Sequence, residues 1–438
     1  MLLPKQSSRD RTVSAPVPAS RRLGALDVLR FCAAMAVVVY HYTGIHGLPV
    51  VSGLGINDYR GTQSSLFPWL YPVSQYGFLS VEIFFVISGF VICMSGWGRG
   101  LGEFFVSRVI RLMPAYLAAV CLVEVAMALM PFPYHRTKIL TGVTNLTMLQ
   151  EPLGVPDADS VYWSLWVELR FYLLFAAVVA LGVTYRRVVL FCVLWTVGSV
   201  IAIESNSELL QNLLVPAYSP YFVAGMAFYL MHRFRPTAQL WCIVGFSYIL
   251  TLHLLQARVA TVEGELKVKL SYSVAALVVT AGYAVVGAVA VGRLGWIRGR
   301  WTAAAGALTY PLYLVHEHTG TALIAELSRR HLSPGRCVAA AVAFSLLLAW
   351  LVHRLVELPV APRLRRALLA SLAEIRANSG PEGVAGPDQV PGPEPAAAAG
   401  PAADPEPAAL SPVPGRLAVR LPIVRPGAVP VSDSRKSE

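Results

Sequence analysis

Ten stretches of this chain stay apolar for about the 20 residues a helix needs to cross a bilayer. They predict membrane-spanning helices over residues 24–45, 76–95, 109–130, 162–182, 187–204, 216–232, 238–256, 272–292, 301–325 and 336–357. Two connections, 46–75 and 131–161, are long and rich in Pro, Gly and aromatics, as the rim of a mouth would be. No internal repeat is visible, and no soluble segment is large enough to hold a core of its own. The expected architecture is therefore all-α: a polytopic membrane helical bundle of about ten transmembrane helices. One membrane domain occupies 22–360, preceded by a polar leader (1–21) and followed by a Pro/Ala/Gly-rich tail (361–438). Such a tail buries too little apolar surface to offset its ordering entropy and is expected to be a disordered extension.

Composition agrees. Of 438 residues 55% are hydrophobic and 14% charged, against roughly one-quarter charged in soluble domains. The net charge of +11 would suggest nucleic acid in a soluble protein, but here the basic residues sit in loops and at helix ends, which is a topology signal. Arg21, Arg22, Arg99, Arg186, Arg187, Arg233, Arg235, Arg293, Arg298, Arg300, Arg363, Arg365 and Arg366 share one side. That puts both termini in the cytoplasm of a multi-pass protein of the plasma or inner membrane. Arg329, Arg330 and Arg336 fall on the other side and dissent. The first apolar run lacks a small-residue cleavage site and should remain as a helix. Cys32, Cys93, Cys121, Cys192, Cys242 and Cys337 lie in or beside spans without metal-ligand spacing. They read as small apolar residues, with no disulfide and no metal.

Against this background the ionisable residues inside spans stand out, because each costs at least a few kcal/mol on insertion scales and is by default functional. Arg30 and His41 lie eleven residues apart in the first span, three turns plus about 20°, so they share a face about 16 Å apart. Arg108 and Arg111 stand at i and i+3 where the third span begins. A guanidinium pair there suits phosphate, and also fits snorkelling interface anchors. Glu82 in the second span and Glu168 in the fourth lie at the depth of His41, where a carboxylate can orient an imidazole. Glu82 fits a structural pair between helices equally well, and its neighbours Ser88 and Gly89 permit close helix approach. The ninth span brings Tyr313 and His316 to the same half, with His318 nearer the end. A cationic inner mouth with imidazole and carboxylate deeper in suits a donor with a phosphorylated handle and a long thin arm, as coenzyme A has.

At these residues the chain resembles the acyltransferase 3 family of integral membrane O-acyltransferases, which includes O-antigen and exopolysaccharide acetylases. The resemblance covers about 22–360. It rests on Arg30 and His41 with their spacing, the run Phe84 to Phe90, Arg108 and Arg111 followed by Pro114 and Tyr116, and Trp163-Ser164-Leu165 with Glu168, Phe171 and Tyr172. Tyr313, His316, Glu357 and Pro359 complete it. Leu169 and Arg170 after Glu168, and Glu317 after His316, depart from the usual pattern. The resemblance implies transfer of an acyl group from acyl-CoA, commonly acetyl-CoA, to a hydroxyl of a surface polysaccharide, lipid-linked sugar or other glycoside of the cell envelope. It makes His41 the catalytic residue, as general base or transient acyl carrier, with Arg30 its companion. Glu168 is expected to orient His41, Arg108 and Arg111 to bind the donor, and Glu82, Tyr172, Tyr313 and His316 to contact substrate or give support. The partners implied are acyl-CoA, a glycan acceptor and membrane lipid, with no nucleic acid and no metal. The rival reading is a secondary transporter or flippase for a glycan or anion, with the same charges as a relay.

Overall fold

The computed structural model describes residues 23–45, 63–129, 139–205 and 207–378. The expected leader, the tail beyond 378, residues 46–62 of the first long connection and residues 130–138 at the start of the second lie outside them. The long helices are α1 (Gly24–Tyr40), α2 (Ser80–Gly96), α3 (Leu101–Leu129), α4 (Trp163–Ala180), α5 (Tyr185–Glu204), α6 (Ser219–Phe234), α7 (Ala238–Leu266), α8 (Tyr272–Ala290), α9 (Arg300–Val315), α10 (Glu317–Arg329), α11 (Pro334–Val352) and α12 (Leu358–Asn378). Nine helical segments among the described residues are long and apolar enough to cross a membrane, so this is a multi-pass membrane protein. The expected ninth span is not one of the nine because it is split into α9 and α10 at His316. Helix α11 packs along both pieces.

Helices α2 and α6 form the centre. Both are apolar all round, as a helix without a solvent or lipid face must be, and every residue from Ser219 to Met231 is buried. Their backbones nearly touch. A Cβ on Gly89 would meet the Phe222 carbonyl oxygen at 2.2 Å, and one on Gly225 the Val86 carbonyl oxygen at 2.0 Å. Small residues at a crossing are what allow membrane helices to pack without a hydrophobic drive between them. The outer faces of α5, α7, α8 and α11 carry exposed Leu190, Leu194, Ile201, Ile249, Leu277 and Leu347, a surface that lipid can cover and water would not tolerate.

Several boundaries differ from the hydropathy pattern. Helix α3 begins at Leu101, ahead of its apolar run, and α7 continues ten residues past the expected 256. There the Ala- and Val-rich sequence keeps helical preference after the bilayer-length apolar run has ended. Helix also continues past residue 361, where the tail is expected to begin. Ala, Leu and Arg carry a helix to Asn378, and it docks on the start of α3 through Leu372 against Gly102 and Arg376 against Glu103 at 3.6 Å. All six cysteines are free; Cys93, Cys192 and Cys337 are buried, whereas Cys32, Cys121 and Cys242 are exposed on the bundle surface.

Candidate active site

The first centre lies where α1 ends. Past Tyr40 the chain widens into a π-turn, His41–Ile45, a departure often found at functional sites. It directs two successive side chains at His316: the His41 and His316 rings stack 5.0 Å apart and 10° from parallel, and the Tyr42 ring lies 6.4 Å from His316. His316 occupies the break between α9 and α10, where helix-end carbonyls need donors. They have them. His316 Nδ1 reaches the carbonyls of Tyr313 (2.8 Å) and Leu312 (3.2 Å), Tyr162 donates to Leu314, Thr319 to Val315, and Tyr42 to His316 itself at 2.6 Å.

This arrangement fixes protons as well as positions. A carbonyl oxygen only accepts, so Nδ1 of His316 carries the hydrogen and Nε2 the lone pair in the neutral ring. His41 Nδ1 stands 2.8 Å from that Nε2. His41 Nδ1 is therefore the donor, and its own Nε2 carries a lone pair. With both rings neutral, these partners place the hydrogens in this way.

The second centre is a three-arginine group. Arg30 shares its electrostatic surroundings with Arg111, Glu168 and Tyr172. Arg111 lies over the Tyr310 ring at 5.7 Å and Arg108 over that of Tyr172 at 5.8 Å. Glu168 accepts hydrogen bonds from Ser88 (2.8 Å) and Tyr172 (2.6 Å). The expected Glu168–His41 pairing is thus replaced: the carboxylate belongs with the arginines, and the imidazole beside His41 is His316. The cause is register, since Glu168 and Tyr172 stand at i and i+4 on one face of α4. Arg30 likewise sides with Arg111 rather than with His41.

A narrow cleft of about 50 Å³ beside the arginine group is lined by Arg30, Ser88 and Glu168 and, a turn further on, by Ser164, Tyr310 and Tyr313. Tyr313 is pinned by Ser164 at 2.7 Å and by the Val161 carbonyl at 3.1 Å, and its ring lies 5.9 Å from His316.

Two further groups surround the His41 end. Glu82 is 1% exposed and paired with Arg258 Nε at 3.3 Å. The sequence reading did not single out Arg258, which lies beyond the expected end of its span. Asp159 accepts from the His318 backbone and lies 3.2 Å from its Nδ1, while Ser160 donates to Glu317 at 2.5 Å. Donor atoms of Asp159, Glu317 and His318 all lie within 4.8 Å of one another, close enough to share a cation, though these hydrogen bonds already account for the approach. In the connection before α4, burial pushes the Asp157 carboxyl up to about 7, and burial followed by the Glu317 charge raises that of Asp159. Arg170, one of the departures noted above, reaches out to the Asn212 carbonyl at 2.9 Å across the Trp166 ring, a tie between α4 and the short helix Glu208–Leu214.

A family model described as an acyltransferase domain matches residues 23–354, the stretch that contains both centres. No curated protein and no solved structure matches the chain.

Proposed function

The chain belongs to the acyltransferase 3 family, and from that premise we propose that it is an O-acyltransferase moving an acyl group, commonly acetyl, from acyl-CoA to a hydroxyl of a surface polysaccharide, lipid-linked sugar or other glycoside. The observation that carries this reading is the His41–His316 pair, which leaves a lone pair on His41 Nε2, on the same bundle as a cleft that reaches Arg30 of the arginine group. Arg108 and Arg111, with Arg30, supply the charge that donor phosphates need. The tyrosine-lined cleft suits a thin pantetheine arm.

In the proposed step His41 Nε2 takes the proton of the acceptor hydroxyl as its oxygen attacks the thioester carbonyl. The tetrahedral oxyanion collapses, the C–S bond breaks, and the thiolate leaves with the proton from His41. His316 holds the tautomer that makes this possible, and the backbone carbonyls hold His316. The topology proposed is that of the charge pattern, with the arginine end cytoplasmic in a plasma or inner membrane.

Mass spectrometry of surface glycans and secreted glycosides, from cells with and without the gene, tests the assignment. The expected result is loss of one acyl mass in the deletion, restored by the parent chain and not by His41→Ala. Equal profiles with verified expression would sink it.

A further inference from the structure

Arg258 has no part in the chemistry above, yet it is an unusual cation. It is carried on the stretch of α7 that runs past the hydropathic limit of the span. Its Nε is held by buried Glu82 at 3.3 Å, and its guanidinium carbon lies 5.6 Å from the Phe78 ring centroid and 5.7 Å from that of Trp163. A charge clamped by a carboxylate and two aromatic rings is fixed in direction, which costs a flexible side chain entropy and desolvation that a mere anchor has no need to meet. The clamp engages Nε alone. Among the described residues the Nη amino groups make no hydrogen bond, and the side chain as a whole is 26% exposed.

What lies beside them is a wall suited to a sugar. The Trp163 ring packs on Tyr218 at 5.4 Å, a rigid aromatic surface. Glu82 offsets the Arg258 charge and Glu265 adds a second carboxylate nearby, so the edge favours neutral oxygens that accept hydrogen bonds over a strongly charged anion. An apolar face for the CH side of a ring, with a forked donor at its margin for adjacent ring oxygens, is a carbohydrate-binding combination. It lies near the reaction centre: the Phe78 ring is 6.0 Å from that of Tyr40, and Tyr40 is 5.3 Å from His41.

We propose that Arg258, braced by Glu82 and flanked by Trp163, is the acceptor subsite, and that it takes a sugar ring presenting adjacent oxygens to the Nη edge and an apolar face to the indole. The proposal rests on the acyltransferase reading above and adds the residues that hold the acceptor.

The test uses the full chain in lipid nanodiscs with acetyl-CoA and a panel of neutral methyl glycosides as acceptors. Arg258→Lys keeps the charge and loses the fork. Glu82→Gln/Arg258→Met removes both charges together, so that no buried carboxylate is stranded in a protein that then fails to fold. The expected result for both is a rise in acceptor KM of about tenfold or more, with the acetyl-CoA KM not following. Unchanged acceptor KM in either variant, with melting temperatures matching the parent, overturns the subsite. A matching rise in acetyl-CoA KM overturns it too, by assigning Arg258 to the donor. If deletion of the gene leaves the profile of acylated glycans and glycosides unchanged, the acyltransferase reading itself falls and the subsite with it, an outcome distinct from the other two.

Discussion

A histidine whose Nδ1 faces two backbone carbonyls has its tautomer chosen for it, and through one hydrogen bond His316 chooses that of His41. Removing it should therefore act on chemistry and not on donor capture. His316→Ala is expected to lower kcat on the order of tenfold or more, within the range of general-base contributions, and to move the pH–rate profile, with the acyl-CoA KM nearly constant. A variant that shifts KM alone would mean that His316 only shapes the cleft. Asp157 makes a prediction about stability. Its carboxyl is raised from an ordinary value near 3.8 to about 7 by burial. The stability tied to the protonated form is complete below the unfolded value and is lost as pH rises through about 7. Asp157→Asn, which mimics the neutral acid beside Gln150, should melt above the parent at pH 8, and that advantage should shrink toward pH 4. A constant difference across that window would leave the carboxyl without this role.

Helices here meet through backbone, and the α2–α6 crossing is the place where that is least forgiving. Gly225→Leu drives side-chain atoms into the Val86 carbonyl, where even a Cβ would stand at 2.0 Å. Overpacking of this kind costs typically 1–3 kcal/mol. The expected outcome is a lower melting temperature and aggregated protein by size exclusion in detergent, while Gly245→Ala on α7, with open space around it, should behave as the parent. The small-residue step at Ser88-Gly89 was legible in the sequence because close approach has a compositional signature. The α9–α10 break was not. Hydropathy averages over a window, and residues 301–325 are apolar enough on average to conceal a break held by side chains from elsewhere, Tyr42 and Tyr162 among them. Arg258 escaped notice for a related reason: apolarity ended near 256 while helical preference did not.

Across the whole molecule the sequence placed most of the site residues but not their grouping. Arg30 and His41 were legible as one face of one helix, and Arg108 with Arg111 as another pair. Which helices those faces meet depends on packing that spacing does not encode, so Glu168 meets Ser88 and Tyr172 where depth alone suggests His41. The grouping has a directional consequence. On the proposed function, with arginines toward one end and the histidine pair toward the other, donor and acceptor enter from opposite sides. Acyl-CoA is polyanionic and does not cross lipid unaided, so sidedness can be read directly. In sealed inverted membrane vesicles, acetyl-CoA added outside should yield His41-dependent free thiol as coenzyme A is released, and Arg108→Ala/Arg111→Ala should raise the concentration needed by at least about tenfold. In right-side-out vesicles the same addition should yield none until the membrane is permeabilised. Equal rates in both orientations would mean that the arginine end does not face the cytoplasm alone. The two-ended reading would then give way to a site in which donor and acceptor share one entrance.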